Sequence, residues 1–173
     1  GLEAAASGDP IAAMEAFRAA VSESSSHSHA AIPRDLPWRD HTMIRIAMLG
    51  AGRVGQVHAR SIAENPQAEL ALVVDPIEAA ASALGDLHGV PWTPDPEDAF
   101  SDASIDAVVI GTPTHTHIEM LKRAVDSDKK VLLEKPSDLD LDRIDVAWAA
   151  IEQTAPFVML GFCRRYDPSF REV

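Results

Sequence analysis

The chain has 173 residues, 46% hydrophobic and 24% charged, the make-up of an ordinary globular chain long enough to bury a core without staples. With 15 Lys+Arg against 27 Asp+Glu the formal net charge is −12, which argues against a nucleic-acid partner, because a phosphate backbone is met by clustered Lys and Arg. The single cysteine, Cys163, excludes an internal disulfide and a multi-cysteine zinc site. No apolar run approaches the ~20 residues needed to span a bilayer, so no membrane partner is expected. The apolar stretch Ile11–Val21 carries Glu15 and Arg18 and is not a signal-peptide core. The expected location is cytoplasmic.

Residues 9–21 read as a short helix. Asp9 suits the N-cap, Pro10 the first helical position, and Ile11, Met14, Phe17 and Val21 fall on one face. Residues 22–42 are rich in Ser, His and Pro and read as a linker. His27 and His29 lack partner ligands, so no metal is expected. Met43 opens the first strand and reads as an original start, which makes 1–42 an extension or the product of upstream sequence.

From Met43 the texture changes. Apolar runs at Ile44–Leu49, Leu70–Val74, Ala107–Ile110, Val131–Leu133 and Phe157–Leu160 alternate with helix-length segments at Val54–Glu64, Ile77–Leu84, His115–Val125 and Leu139–Thr154. The runs do not alternate apolar with polar, so both faces of each strand are expected to be covered. The pattern predicts an α/β domain over 43–161, a doubly wound parallel sheet with helices on both sides.

The first strand runs into Gly50-Ala51-Gly52-Arg53-Val54-Gly55, a G-x-G-x-x-G between strand and helix. Gly50 permits the tight turn, Gly52 lets backbone approach a pyrophosphate, and Gly55 lets the helix pack on the strand. The N–H groups of that helix start then face the phosphates. Asp75 ends the next strand, where its carboxylate suits the ribose hydroxyls and repels a 2′-phosphate. NAD is therefore expected over NADP, although Arg53 offsets part of the repulsion. A turn residue before Pro76 is the plainer reading of Asp75.

Ligands of open α/β sheets bind at the carboxyl ends of strands. One such end reads Gly111-Thr112-Pro113-Thr114-His115-Thr116-His117, with Thr114 as a helix N-cap and Thr112 and Pro113 where the nicotinamide half passes. Capping and turn formation explain the same residues, and helix-start packing explains His115 and His117. The next end reads Glu134-Lys135-Pro136. An ammonium there can hydrogen-bond a substrate hydroxyl and favour its alkoxide as hydride leaves carbon; a surface charge is the alternative. The last end leads to Cys163, which reads as a packed residue, and to Arg164-Arg165, suited to a polyol, the cofactor or an interdomain salt bridge.

Taken together, Ile44–Ala59, Asp75, Ile105–His117, Val131–Pro136 and Gly161–Phe170 resemble the glucose–fructose oxidoreductase/inositol dehydrogenase/MocA family, and the tail from Gly161 resembles its inositol 2-dehydrogenase branch. The resemblance covers Met43 to Val173 and nothing before. It implies a Rossmann domain followed by an α/β substrate domain, and NAD-dependent oxidation of a secondary alcohol on a sugar or cyclitol. It implies Lys135 as the catalytic lysine, a cis Lys135–Pro136 bond and Arg165 on the substrate side. The cofactor residues it implies are Gly50, Gly52, Arg53, Val54, Gly55, Asp75, Thr112, Pro113, Thr114, His117, Glu134 and Lys135.

Three departures stand out. The family's Ala-Gly-Lys turn is Ser127-Asp128-Lys129 here, and the branch's Asn or Met is Cys163. The family's general base, a His four residues after an Asp in the second domain, has no counterpart, since no His follows His117. Residues 162–173 then read as the start of a truncated second α/β domain, otherwise missing from this chain. The chain is expected to bind dinucleotide and to turn over substrate negligibly. A full-length form is expected to be a homo-oligomer. The competing reading is a non-catalytic dinucleotide-binding or regulatory module.

Overall fold

The computed structural model describes residues 43–154 and 156–166. The extension and linker read over 1–42 lie outside the described residues. The chain divides into two units, 43–161 and a second made of 1–42 with 162–173. Of the second, the described part is 162–166, with a 3-10 turn at Cys163–Tyr166.

In 43–161 the elements run β1 (Ile44–Leu49), α1 (Arg53–Glu64), β2 (Ala68–Val74), α2 (Glu78–His88), β3 (Trp92–Thr93), α3 (Glu97–Ser101), β4 (Ala107–Ile110), α4 (His117–Asp126), β5 (Lys130–Leu133), α5 (Leu141–Ile151) and β6 (Val158–Leu160). The strands form one sheet in the order β3-β2-β1-β4-β5-β6, with every pairing parallel. This is the Rossmann order, and the chain reverses direction across the sheet between β1 and β4.

Central strands are buried on both sides, as their unbroken apolar runs require. Alternate residues point to opposite faces. Ala47, Leu49, Val108, Ile110, Val131 and Leu133 join Leu121 and Ala124 of α4, Ile151 of α5 and Phe100 of α3 in one core. Met48 points the other way, towards α1 at Gly55. Trp92–Thr93 carries too short an apolar signal to be read as a strand, and pairing with Val73 and Val74 creates it.

Two local features correct or extend the sequence reading. Thr114 does not cap α4. It opens a 3-10 turn, Thr114–Thr116, and α4 starts at His117 behind Thr116, whose hydroxyl donates to the Pro113 carbonyl and bonds the Thr112 hydroxyl instead of capping. At the other end of α4, Asp128 has φ 55°, in the left-handed region. Its N–H donates to the Val125 carbonyl and the Lys129 N–H to that of Ala124, the bond pair of a Schellman turn that normally takes glycine. The adjoining Lys129 side chain is buried, and its ammonium donates to the carbonyls of Asp102 (2.6 Å) and Ile105 (2.9 Å). Burial lowers its pKa, with nearby aspartates opposing.

Candidate functional site

Two turns at the carboxyl ends of β1 and β5, on either side of β4, make the site. The first follows β1. Gly50 has φ 101°, and a Cβ there would lie 2.6 Å from the Gly111 carbonyl oxygen, so β1 and β4 can adjoin only through a bare backbone. A Cβ at Gly55 would overlap the Gly50 carbonyl oxygen, so the helix start needs glycine to close on the turn. Gly52 is different. Its φ of −69° suits any residue, and a Cβ there would meet nothing within 4 Å. No contact among the described residues calls for glycine at this position, and the space beside it is open to a ligand.

Gly52 is also the N-cap of α1, with no side-chain cap. The N–H groups of Arg53 and Val54 in its first turn have no hydrogen-bond partner among the described residues, and both side chains are exposed. Unpaired donors at the positive end of a helix, reached across a bare glycine, fit a diphosphate.

Asp75 stands at the end of β2, beside this turn. One carboxylate oxygen accepts from the Ala51 N–H (2.8 Å) and the other from the Ile77 N–H (2.9 Å). The turn-residue role is thus real, and it also ties the acid to the glycine loop. A carboxylate has about four acceptor sites, so two such bonds leave capacity for hydroxyls.

The second turn follows β5. Lys135 is exposed, and its ammonium makes no hydrogen bond or ion pair among the described residues. Its peptide bond to Pro136 is cis, as the resemblance implies. Glu134, before it, is half-buried. One carboxylate oxygen lies 2.7 Å from His58 Nε2 on α1, and the other accepts from the Lys135 N–H (3.2 Å). Burial pushes the Glu134 pKa up, but the His58 hydrogen bond and charge, the Lys135 N–H and the Lys135 charge together outweigh it, and the carboxyl sits below its ordinary value.

On the far side of Lys135, His117 is 2% exposed. Its Nδ1 lies 2.8 Å from the Pro136 carbonyl oxygen and its Nε2 2.8 Å from that of Thr112. Whichever ring nitrogen carries the hydrogen donates to its carbonyl, and the ring packs between the two loops. His117 therefore offers a tie between the loops after β4 and β5, not a free edge for a cofactor.

The structure brings Gly50, Gly52, Arg53, Val54, Gly55 and Asp75 together in the first turn. Thr112 adjoins that turn, since its N lies 3.0 Å from the Cβ position of Gly50. Thr112, Pro113 and Thr114 continue into the 3-10 turn that ends at the His117 tie. Arg165 falls in the Cys163–Tyr166 turn, and its side chain lies outside the described residues. Cys163 is exposed rather than packed. Sequence reasoning missed His58. Its one signal is position, one helical turn beyond Gly55 on the helix that opens the site.

Residues 44–162 match the GFO_IDH_MocA model, described as an oxidoreductase family with an NAD-binding Rossmann fold. The chain is 41% identical over 131 residues to the inositol 2-dehydrogenase of Rhizobium meliloti strain 1021, an alignment covering 75% of this chain and 39% of that protein. The myo-inositol dehydrogenase of Corynebacterium glutamicum superposes with a TM-score of 0.71 at 43% identity, over 75% of this chain and 39% of that one. The scyllo-inositol dehydrogenase of Lactobacillus casei, crystallised with NAD(H) and scyllo-inositol, gives 0.71 at 33% identity over the same shares. The chain thus spans about two fifths of the length of these proteins. With this sheet order, this glycine turn and these matches, the chain belongs to the Gfo/Idh/MocA family of oxidoreductases, whose matched segment is the NAD-binding Rossmann fold.

Proposed function

We propose that the chain is the cofactor-binding part of an NAD-dependent dehydrogenase that oxidises a secondary alcohol of a cyclitol, inositol being the first candidate. The observation that carries this reading is the juxtaposition of two turns. A glycine turn with unpaired donors follows β1, and an exposed lysine follows β5, two strands away in one sheet. The relatives named above supply the substrate class.

NAD, when bound, supplies the hydride acceptor. The Arg53 and Val54 N–H groups hold the diphosphate, and Gly52 leaves it room. The spare lone pairs of Asp75 accept from the adenosine ribose hydroxyls. A 2′-phosphate would meet the same carboxylate, so NADP binds more weakly. Lys135 donates a hydrogen bond to the substrate hydroxyl, and its positive charge favours the alkoxide as the C–H bond breaks. Arg165 is assigned to the substrate side on the family pattern alone. The proton acceptor and the second wall of the pocket belong to a part of the enzyme that no residue described here supplies.

Titration of the purified chain with NAD and NADP, read by quenching of its three tryptophans, tests the reading. Saturable NAD binding, with NADP at least about tenfold weaker, is expected. No binding of either dinucleotide, or a preference for NADP, would overturn it. Addition of myo- or scyllo-inositol with NAD, followed by absorbance at the reduced-nicotinamide band, checks turnover, which is expected to be negligible for this chain alone.

A further inference from the structure

Glu134 and Lys135 are consecutive, of opposite charge and at the mouth of the same turn. The lysine charge acts on the Glu134 carboxylate, and an opposite charge nearby favours the charged form of both. Here they do not pair through their side chains. Both Glu134 oxygens are engaged elsewhere, one with His58 Nε2 at 2.7 Å and the other with the Lys135 backbone N–H at 3.2 Å. A Cβ at Gly161 would lie 3.1 Å from the first of these oxygens, so the carboxylate is lodged between α1 and a bare stretch of backbone after β6. The turn beyond Lys135 is fixed as well, by His117 on the Pro136 carbonyl. The Glu134 side chain is the group that could swing onto the lysine, and His58 holds it.

We propose that His58 is a positioning residue that keeps the Glu134 carboxylate off the Lys135 ammonium, leaving the amine free for a substrate hydroxyl. The proposal rests on reading Lys135 as the substrate-side lysine. His58 lies on α1 one turn after Gly55, so the helix that faces the diphosphate also keeps the lysine available. Without His58, Glu134 would turn to Lys135, whose charge already acts on it, and the ammonium would be occupied before substrate arrives.

The test reads the lysine itself, in the full chain with no dinucleotide present. A brief pulse of acetic anhydride labels free amines, and mass spectrometry gives the rate at Lys135 relative to the exposed Lys122 on α4. In His58→Leu the relative rate at Lys135 falls by about threefold or more, because the paired ammonium loses its proton less readily. His58→Gln places an amide nitrogen where Nε2 stood and restores the rate. The double variant His58→Leu/Glu134→Gln restores it too, since no carboxylate is left to swing. A merely structural role for His58 would leave the Lys135-to-Lys122 ratio unchanged in all three. An unchanged or raised ratio in His58→Leu, no rescue by His58→Gln, or a double variant as slow as His58→Leu overturns the proposal. Should His58→Leu fail to fold, His58→Asn, one carbon too short to reach, takes its place against His58→Gln. Loss of NAD binding in the unaltered chain would end the functional reading above; the labelling ratio decides His58 without reference to it.

Discussion

The two turns of the site are held in opposite ways. The turn after β1 is built from backbone. Its shape follows from six consecutive residues, three of them glycine, and its contacts with β4 and α1 are contacts of bare main chain. The turn after β5 is built from side chains that come from elsewhere. Glu134 is held by His58, 76 residues away, and Pro136 by His117, 19 residues away. A backbone cradle suits a ligand group that never varies, such as a diphosphate. A side-chain scaffold suits a reactive group whose charge must be kept available.

The largest expected effect breaks the first turn. Gly55→Ala puts a methyl into the Gly50 carbonyl and is expected to cost about 3 kcal/mol, seen as a lower denaturation midpoint with unchanged slope. Gly52→Ala separates structure from binding. Its methyl meets no described atom within 4 Å, so stability falls by no more than about 1 kcal/mol, the cost of Ala for Gly at an N-cap, while NAD affinity falls at least tenfold, about 1.4 kcal/mol, by titration. An unchanged affinity would mean that no ligand approaches that glycine.

Asp75→Ala removes two backbone-to-carboxylate bonds and is expected to cost about 1 kcal/mol of stability. It also lowers NAD affinity and narrows the preference over NADP, which paired titrations measure.

The second turn is sharpened by pH. The folded-state pKa of Glu134 is depressed, so its charged-form contacts add stability above the ordinary carboxylate range, and that stability is lost as pH falls through the folded value. The difference in melting temperature between the unaltered chain and Glu134→Gln should be widest near neutral pH and close on acidification. A gap that widens in acid would reverse the assignment. The smallest expected effect lies behind this turn. Asp128→Gly relieves a left-handed aspartate and is expected to add up to about 1 kcal/mol, with no change in NAD affinity.

The same contrast explains what was legible in the sequence. The apolar runs fixed β1 and β4 to the residue, because strands buried on both faces leave an unbroken hydrophobic signature. The glycine spacing marked the first turn, since its physics is local. Thr114 was misread as a cap because a Thr before a helix looks the same whether the next three residues are α or 3-10. His117 carried a visible motif, but that its ring packs between two carbonyls depends on where β5 lies. His58 carried almost no signal, because its partner exists only after β4 and β5 have been laid beside β1.

By itself, then, the sequence determined the α/β alternation, the glycine turn after β1 and the acid that ends β2, all of which arise from short stretches of chain with their own steric rules. Tertiary structure alone decided which side chains brace Lys135 and which carbonyls claim His117. Those pairings need strands far apart in sequence to become neighbours, and no local pattern encodes that adjacency.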